Sequence, residues 1–269
     1  MTKRWVRVVA LACVSPMVLF VGGRIRAQGQ TAAAAQPPQR IAVTVTHVKP
    51  EMIGAFQALV KAEAIPAEKK AGLAWRTTYT SAPIGEAGVF VSVRPVTSLA
   101  QYDGPGSLER ALGPDGAAKY LAKLRPMTVS QRTLIQTQQP NLSIESNATQ
   151  PAKLILVQDV YLHPDKGPAF NDIMASQIVP ALKKVGVKDY WVFTTNFGGP
   201  FQMRTIVEPI PNFEALERIP GGRLVDAIGA EAAQRINAQR FAMMERMEST
   251  IMRLVPDLTF ATPPKTTSK

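Results

Sequence analysis

Residues 66–72 read Pro-Ala-Glu-Lys-Lys-Ala-Gly, and residues 180–186 read Pro-Ala-Leu-Lys-Lys-Val-Gly. The stretches lie 114 positions apart, and the likeness continues in both directions at that offset without a gap. Pro50 meets Pro164, Ala55-Phe56 meets Ala169-Phe170, Gly85 meets Gly199 and Pro95 meets Pro209. Fourteen of the 62 positions in 41–102 recur in 155–216. Many are Pro or Gly, which start, stop and turn the backbone. The chain is therefore a duplication, two copies of one unit of about a hundred residues.

Each copy reads β-α-β-β-α-β. In the first, Ile41–Val48 alternates and is β-branched, as a strand does. Pro50 opens a helix whose stripe is Ile53, Phe56, Leu59 and Val60, and Gly72 closes that region. Strands follow at Ala74–Thr80 and Val89–Arg94, a short helix at Asp115–Leu124 and a last strand at Met127–Thr137. In the second copy the strands are Leu154–Leu162, Asp189–Thr195, Met203–Glu208 and Met244–Leu254. Its helices carry the stripe Phe170, Ile173, Met174, Ile178 and the segment Ala230–Phe241. Such a unit makes a four-stranded antiparallel sheet with both helices on one face. The bare face needs cover, and a tandem copy supplies it. The expected fold is α+β: two tandem ferredoxin-like repeats packed sheet to sheet as an internal pseudo-dimeric α/β barrel.

This pattern, with strand, Pro, helix, Gly and strand in each half over about 41–258, resembles the dimeric α/β-barrel superfamily. That group holds antibiotic-biosynthesis-type monooxygenases, the NIPSNAP group and chlorite-dismutase-like haem proteins. His47-Val48-Lys49-Pro50 and Leu162-His163-Pro164-Asp165 resemble the strand-to-helix junction of the NIPSNAP and monooxygenase groups. The resemblance implies a cavity that takes a small hydrophobic molecule, with several members acting without a cofactor.

The termini give a cellular address. Lys3, Arg4 and Arg7 precede an apolar run, Val8–Gly23, and Ile25-Arg26-Ala27 offers a cleavage site. Residues 1–27 read as a secretory signal and 28–40 as a flexible tether. Repeat one is 41–139, a linker spans 140–152, repeat two is 153–258, and 259–269 is a polar tail. The expected location is periplasmic or secreted, without stable membrane insertion once the signal is cut. The one cysteine, Cys13, lies in that signal, which leaves no disulfide, thiolate nucleophile or cysteine metal site beyond it. Of the net charge of +11, residues 1–27 carry five positive charges and no acid, so +6 remains. The remaining cations are dispersed, which argues against a nucleic-acid partner. The expected partner is a small-molecule ligand, and a homo-oligomer is compatible with the fold.

Few residues carry chemistry. There is no nucleophile elbow, Walker loop, dinucleotide fingerprint or zinc-protease motif, and no metal set is expected. The histidines, His47 and His163, sit at corresponding strand ends, where each suits a general base or an axial haem ligand, although a strand exit is where ordinary polar residues usually surface. The strands of repeat two are richer in polar and aromatic groups. Alternation puts Asp159 and Tyr161 on one face of a strand and Arg204 and Glu208 on one face of another. The expected catalytic groups are His163, Tyr161 and Asp159, and the expected ligand contacts are Arg204 as anion anchor, Trp191, Phe193, His47 and Tyr79. The bland alternative is that the aromatics fill a core and the charges pair on a solvated face. No cofactor is expected, with haem left open. The functional expectation is an exported small-molecule-binding barrel, acting as a cofactor-independent monooxygenase or isomerase on a hydrophobic or phenolic compound. A non-catalytic binding or scaffolding module is the alternative, and a haem-binding protein, through one histidine, the second.

Overall fold

The computed structural model describes residues 39–146, 150–217 and 222–261. The signal 1–27, nearly all of the tether and most of the tail lie outside these residues. Repeat one supplies strands β1 (Arg40–Val48), β2 (Thr77–Ser81), β3 (Val89–Pro95) and β4 (Thr128–Gln138). Repeat two supplies β5 (Leu154–Leu162), β6 (Trp191–Phe197), β7 (Met203–Pro209) and β8 (Met244–Leu254). All are antiparallel to their neighbours and close into a barrel ordered β1-β3-β2-β8-β5-β7-β6-β4. Each half is a ferredoxin-like sheet, and the halves join edge to edge as well as facing each other across the interior.

The two seams obey the duplication. At one, Gln136, Thr137 and Gln138 pair with Thr195, Thr194 and Phe193. At the other, Met252, Arg253 and Leu254 pair with Ser81, Thr80 and Tyr79. Adding 116 to the β4 residues and subtracting 114 from the β6 residues turns the first register into the second. The offset changes because the second copy is longer by two residues between its third and fourth strands. The short segment after the last strand is duplicated too. Pro140–Leu142 and Pro256–Leu258 are equivalent 3-10 turns. Ile144 bridges to Tyr190 as Phe260 bridges to Arg76. This explains why β2 and β6 start later than their apolar patterns suggest: Arg76 and Tyr190 are taken by those bridges.

The first helix of each repeat is built alike. Helix α1 (Ile53–Leu59) runs through a π turn, Val60–Ala64, into α2 (Ile65–Lys70). In repeat two, α4 (Gly167–Ile173) runs through Met174–Ile178 into α5 (Val179–Lys184). Pro66 and Pro180 sit just beyond the π turns. A proline inside a helix removes one donor and crowds the preceding turn, and a π turn gives it room without ending the helix. The second helical stretch is α3 (Ser107–Leu124), longer than expected and broken at Gly113 (φ 74, ψ 169). Its counterpart is α6 (Gly222–Ile228) and α7 (Ala230–Phe241), separated by Gly229 (φ 81, ψ 159).

The layers between helices and sheet differ. In repeat two the layer is apolar, with Val160, Phe170, Met174 and Val192 fully buried, each such side chain contributing ~1.5–3 kcal/mol. In repeat one the apolar cluster is smaller. Beside it, buried Glu68 accepts from Arg76 at 3.0 Å and from Arg94 at 3.2 Å. The repeat-two residues at the Glu68 and Arg76 positions are Leu182 and Tyr190. No helix among the described residues is long and apolar enough to cross a membrane.

Candidate functional site

The inward faces of all eight strands surround a cavity of about 290 Å³. One of its ends is flanked by Trp75, Asp189 and the segment after β4. Strands of equal rank in the two repeats stand four places apart in the ring, on opposite walls. Tyr79 therefore faces the side of Phe193, and Thr77 that of Trp191. The duplication predicts chemically matched walls, and around Asp159 the match breaks. Val45, Val91 and Met252 on one side correspond to Asp159, Thr205 and Gln136 on the other, and all six line the lumen.

The polar wall is a directed chain. The Gln136 amide donates to Thr205 Oγ1 at 2.8 Å and to Thr195 Oγ1 at 3.3 Å. Thr205 Oγ1 accepts that bond and donates its own proton to Asp159 Oδ1 at 2.6 Å. Burial pushes the Asp159 carboxyl above the ordinary carboxylate range, and the Glu248 charge adds to this. The Thr205 hydrogen bond and the Arg132 charge act against it. Thr77 Oγ1 is buried without a hydrogen-bond partner and also lines the lumen. Burial raises the Tyr79 phenol too, keeping it a neutral donor. The arrangement is one hard-to-ionise carboxyl and a few hydroxyls in a wall of Val, Ile, Leu and aromatic groups. Such a wall takes an apolar molecule and fixes it at one polar pole.

The residues nominated from sequence divide accordingly. Asp159, Trp191, Phe193 and Tyr79 line the lumen. Tyr161 shares the inward face of β5 but does not line the cavity. It is packed with Leu134 and Met203, with the Arg246 guanidinium 3.6 Å from its ring centroid. Arg204 must be corrected as a lumen anchor. It alternates with lumen-facing Thr205 and points to the helix side, where Nε donates to Asn171 Oδ1 at 3.3 Å. Its guanidinium lies close against Gly167, and burial lowers its pKa. His163 is exposed just past β5, its backbone N–H bonded to the Met243 carbonyl. His47 lies at the end of β1, half-exposed, with Nδ1 3.0 Å from Glu86 Oε1. Neither histidine lines the lumen. The residues do not fit an axially ligated haem there. Sequence alone did not single out Gln136, Thr205 and Thr77. The signal for two of them was available: Thr205 stands where the other copy has Val91, and Gln136 where it has Met252.

No family model matches the chain, and a search of curated proteins finds no match. Solved structures do match. An anthrone oxidase-like protein superposes with a TM-score of 0.59 at 12% identity, over 86% of this chain and 96% of its own. A proposed monooxygenase from Lactobacillus acidophilus gives 0.52 at 8% identity, over 83% and 96%. Chlorite dismutase from Candidatus Nitrospira defluvii, in complex with imidazole, gives 0.52 at 10% identity, over 82% and 93%. At such identities the likeness is one of fold. It agrees with the closed eight-stranded α/β barrel seen here, with both halves in one chain.

Proposed function

We propose that this protein is a cofactor-independent enzyme that encloses a small, largely apolar molecule in its barrel and removes a proton from it with Asp159. The substrate class is a phenolic or enolisable compound, and the reaction is an isomerisation or, with dioxygen as co-substrate, an oxygenation. One observation carries this reading: a carboxyl raised by burial stands on the lumen wall where the duplication offers Val45. A base whose pKa moves toward neutrality is a better match for a carbon or phenol acid, and such catalysis is worth ~10²–10⁴-fold. Thr205 orients the carboxyl, and the neutral Tyr79 hydroxyl stabilises negative charge left on the ligand. The aromatic walls of Trp191 and Phe193 hold its rings. The monooxygenase-like and oxidase-like names of the fold neighbours agree in kind with this chemistry and do not identify the substrate.

The test begins with native mass spectrometry of the purified protein to find a retained molecule, followed by quenching of the Trp75 and Trp191 fluorescence to measure its binding. Asp159→Asn is expected to keep binding and lose turnover. Unchanged turnover in Asp159→Asn would remove the base. Tight binding with no turnover in the native chain would favour the non-catalytic module. The basic and apolar start of the chain supports export to the periplasm or beyond. N-terminal sequencing of the protein from fractionated cells tests this, with a start near Gln28 as the expected result.

A further inference from the structure

Strand β8 leaves the barrel with one edge bare. On one side it pairs with β5 along its length, whereas on the other β2 reaches only Met252–Leu254. The Leu254 N–H donates toward β5, to the Lys153 carbonyl, while the Ile251 carbonyl accepts from Ala82 on the β2 side. Backbone groups alternate sides along an antiparallel strand. Those of Met247 and Ser249 therefore turn to the bare side, where no described strand pairs with them. Residues 245–249 are exposed on both faces, and Met247 is 41% exposed. A bare edge of this kind invites another strand.

Its side chains specify which strand. Arg246 and Glu248 flank Met247 on the same face and form an exposed ion pair at 3.0 Å. In an antiparallel pairing centred on Met247, Met247 meets Met247 of the second copy, and their N–H and C=O groups exchange two hydrogen bonds. Arg246 then lies directly opposite Glu248 of the second copy, and Glu248 opposite its Arg246, at the closely spaced non-hydrogen-bonded positions. The edge is thus self-complementary in backbone, shape and charge. The same operation on the β4 edge, centred on Gln131, the equivalent of Met247, sets Arg132 opposite Ser130 and gains no ion pair. Phe241, which ends α7 shortly before β8, is exposed as well.

We infer that two copies of this chain dimerise through β8, antiparallel about a twofold axis at Met247. The contact is isologous and closes at two copies. It does not depend on the activity of the lumen.

Sedimentation of the full chain over a range of concentrations, in detergent-free buffer, tests the inference. The native chain is expected to dimerise. Glu248→Arg places like charges opposite each other twice and is expected to weaken the dimer by about 10-fold or more. Arg246→Glu does the same, and the double swap Arg246→Glu with Glu248→Arg restores dimerisation. Met247→Pro removes the central donor and is expected to leave monomers. Circular dichroism confirms that each variant is folded. The N-terminal apolar stretch is common to all variants, so differences report on β8. A native chain that stays monomeric overturns the inference, as does a dimer indifferent to both single charge reversals or a double swap that fails to restore it.

Discussion

Thr205 accepts from the Gln136 amide on a lone pair and gives its only hydroxyl proton to Asp159 Oδ1, 2.6 Å away. The bond favours the ionised carboxylate, opposing the upward push of burial. Thr205→Val keeps the shape and removes the donor. The Asp159 pKa is then expected to rise further, followed by carboxyl titration in isotope-edited NMR. The Gln136 amide also loses its shorter partner, so stability is expected to fall by about 1–3 kcal/mol.

Asp159 itself is expected to cost the fold stability at neutral pH. Its carboxyl starts from an ordinary value of 3.8 and is raised by burial, so the folded chain holds the proton more tightly than the unfolded chain. Stability from this group is therefore full below the ordinary value and falls as pH rises toward the raised one. Above that, the whole penalty remains. Asp159→Asn has no proton to lose. Its melting temperature is expected to exceed that of the native chain at pH 7, and the gain is expected to vanish as pH falls through 3.8. Thermal melts across pH measure both, and a gain independent of pH would mean the carboxylate is not the source. Substituting a catalytic group often stabilises the protein at the expense of function.

The duplication made most of the fold legible, because Pro, Gly and hydrophobic period survive in both copies. Strand β8 coincides with its apolar pattern at both ends. The seams did not follow from either copy alone, since pairing between β4 and β6 depends on closure in three dimensions. Pro66 and Pro180 show a second limit: a proline in a helical pattern signals a boundary, while the π turn that accommodates it leaves no mark in composition. The site was half legible. Asp159 and its aromatic neighbours follow from alternation, but Arg204 follows the same rule onto the opposite face, and only the direction of the sheet decides between them. Gln136 escaped because β4 aligns with β8 at 116, not 114.

The charge triad of repeat one is expected to be unforgiving. Glu68 is 2% exposed and is the only acid that Arg76 and Arg94 contact among the described residues. Glu68→Gln leaves two guanidinium groups in that layer without a counter-charge, at an expected cost of ~3–5 kcal/mol. For a chain of this size that corresponds to about 10 °C in melting temperature. The companion Glu68→Leu with Arg76→Tyr copies the repeat-two layer and removes one of the cations as well. It is expected to lose less than Glu68→Gln. Calorimetry of the variants decides, and equal losses would show that charge is not what the layer resists.

Gly198 marks where the β6–β7 turn crosses the seam. Its φ is +79, and a Cβ there would fall 2.1 Å from the Thr133 carbonyl oxygen and 3.3 Å from the Leu134 Cα. Both obstacles are backbone in β4 and cannot swing aside. Gly198→Ala therefore combines the left-handed penalty of ~1–2 kcal/mol with displacement of the turn from β4. The nearest ladder pairs, Ile135 with Phe197 and Gln136 with Thr195, are expected to open first. Hydrogen exchange should show faster exchange at this seam than at the β2–β8 seam, which the substitution does not touch. Because Gln136 also anchors Thr205 and Asp159, ligand affinity is expected to fall along with the seam's protection. Slowed or unchanged exchange at Gln136 would mean the turn can shift without moving the strand, and the link between seam and site would fail.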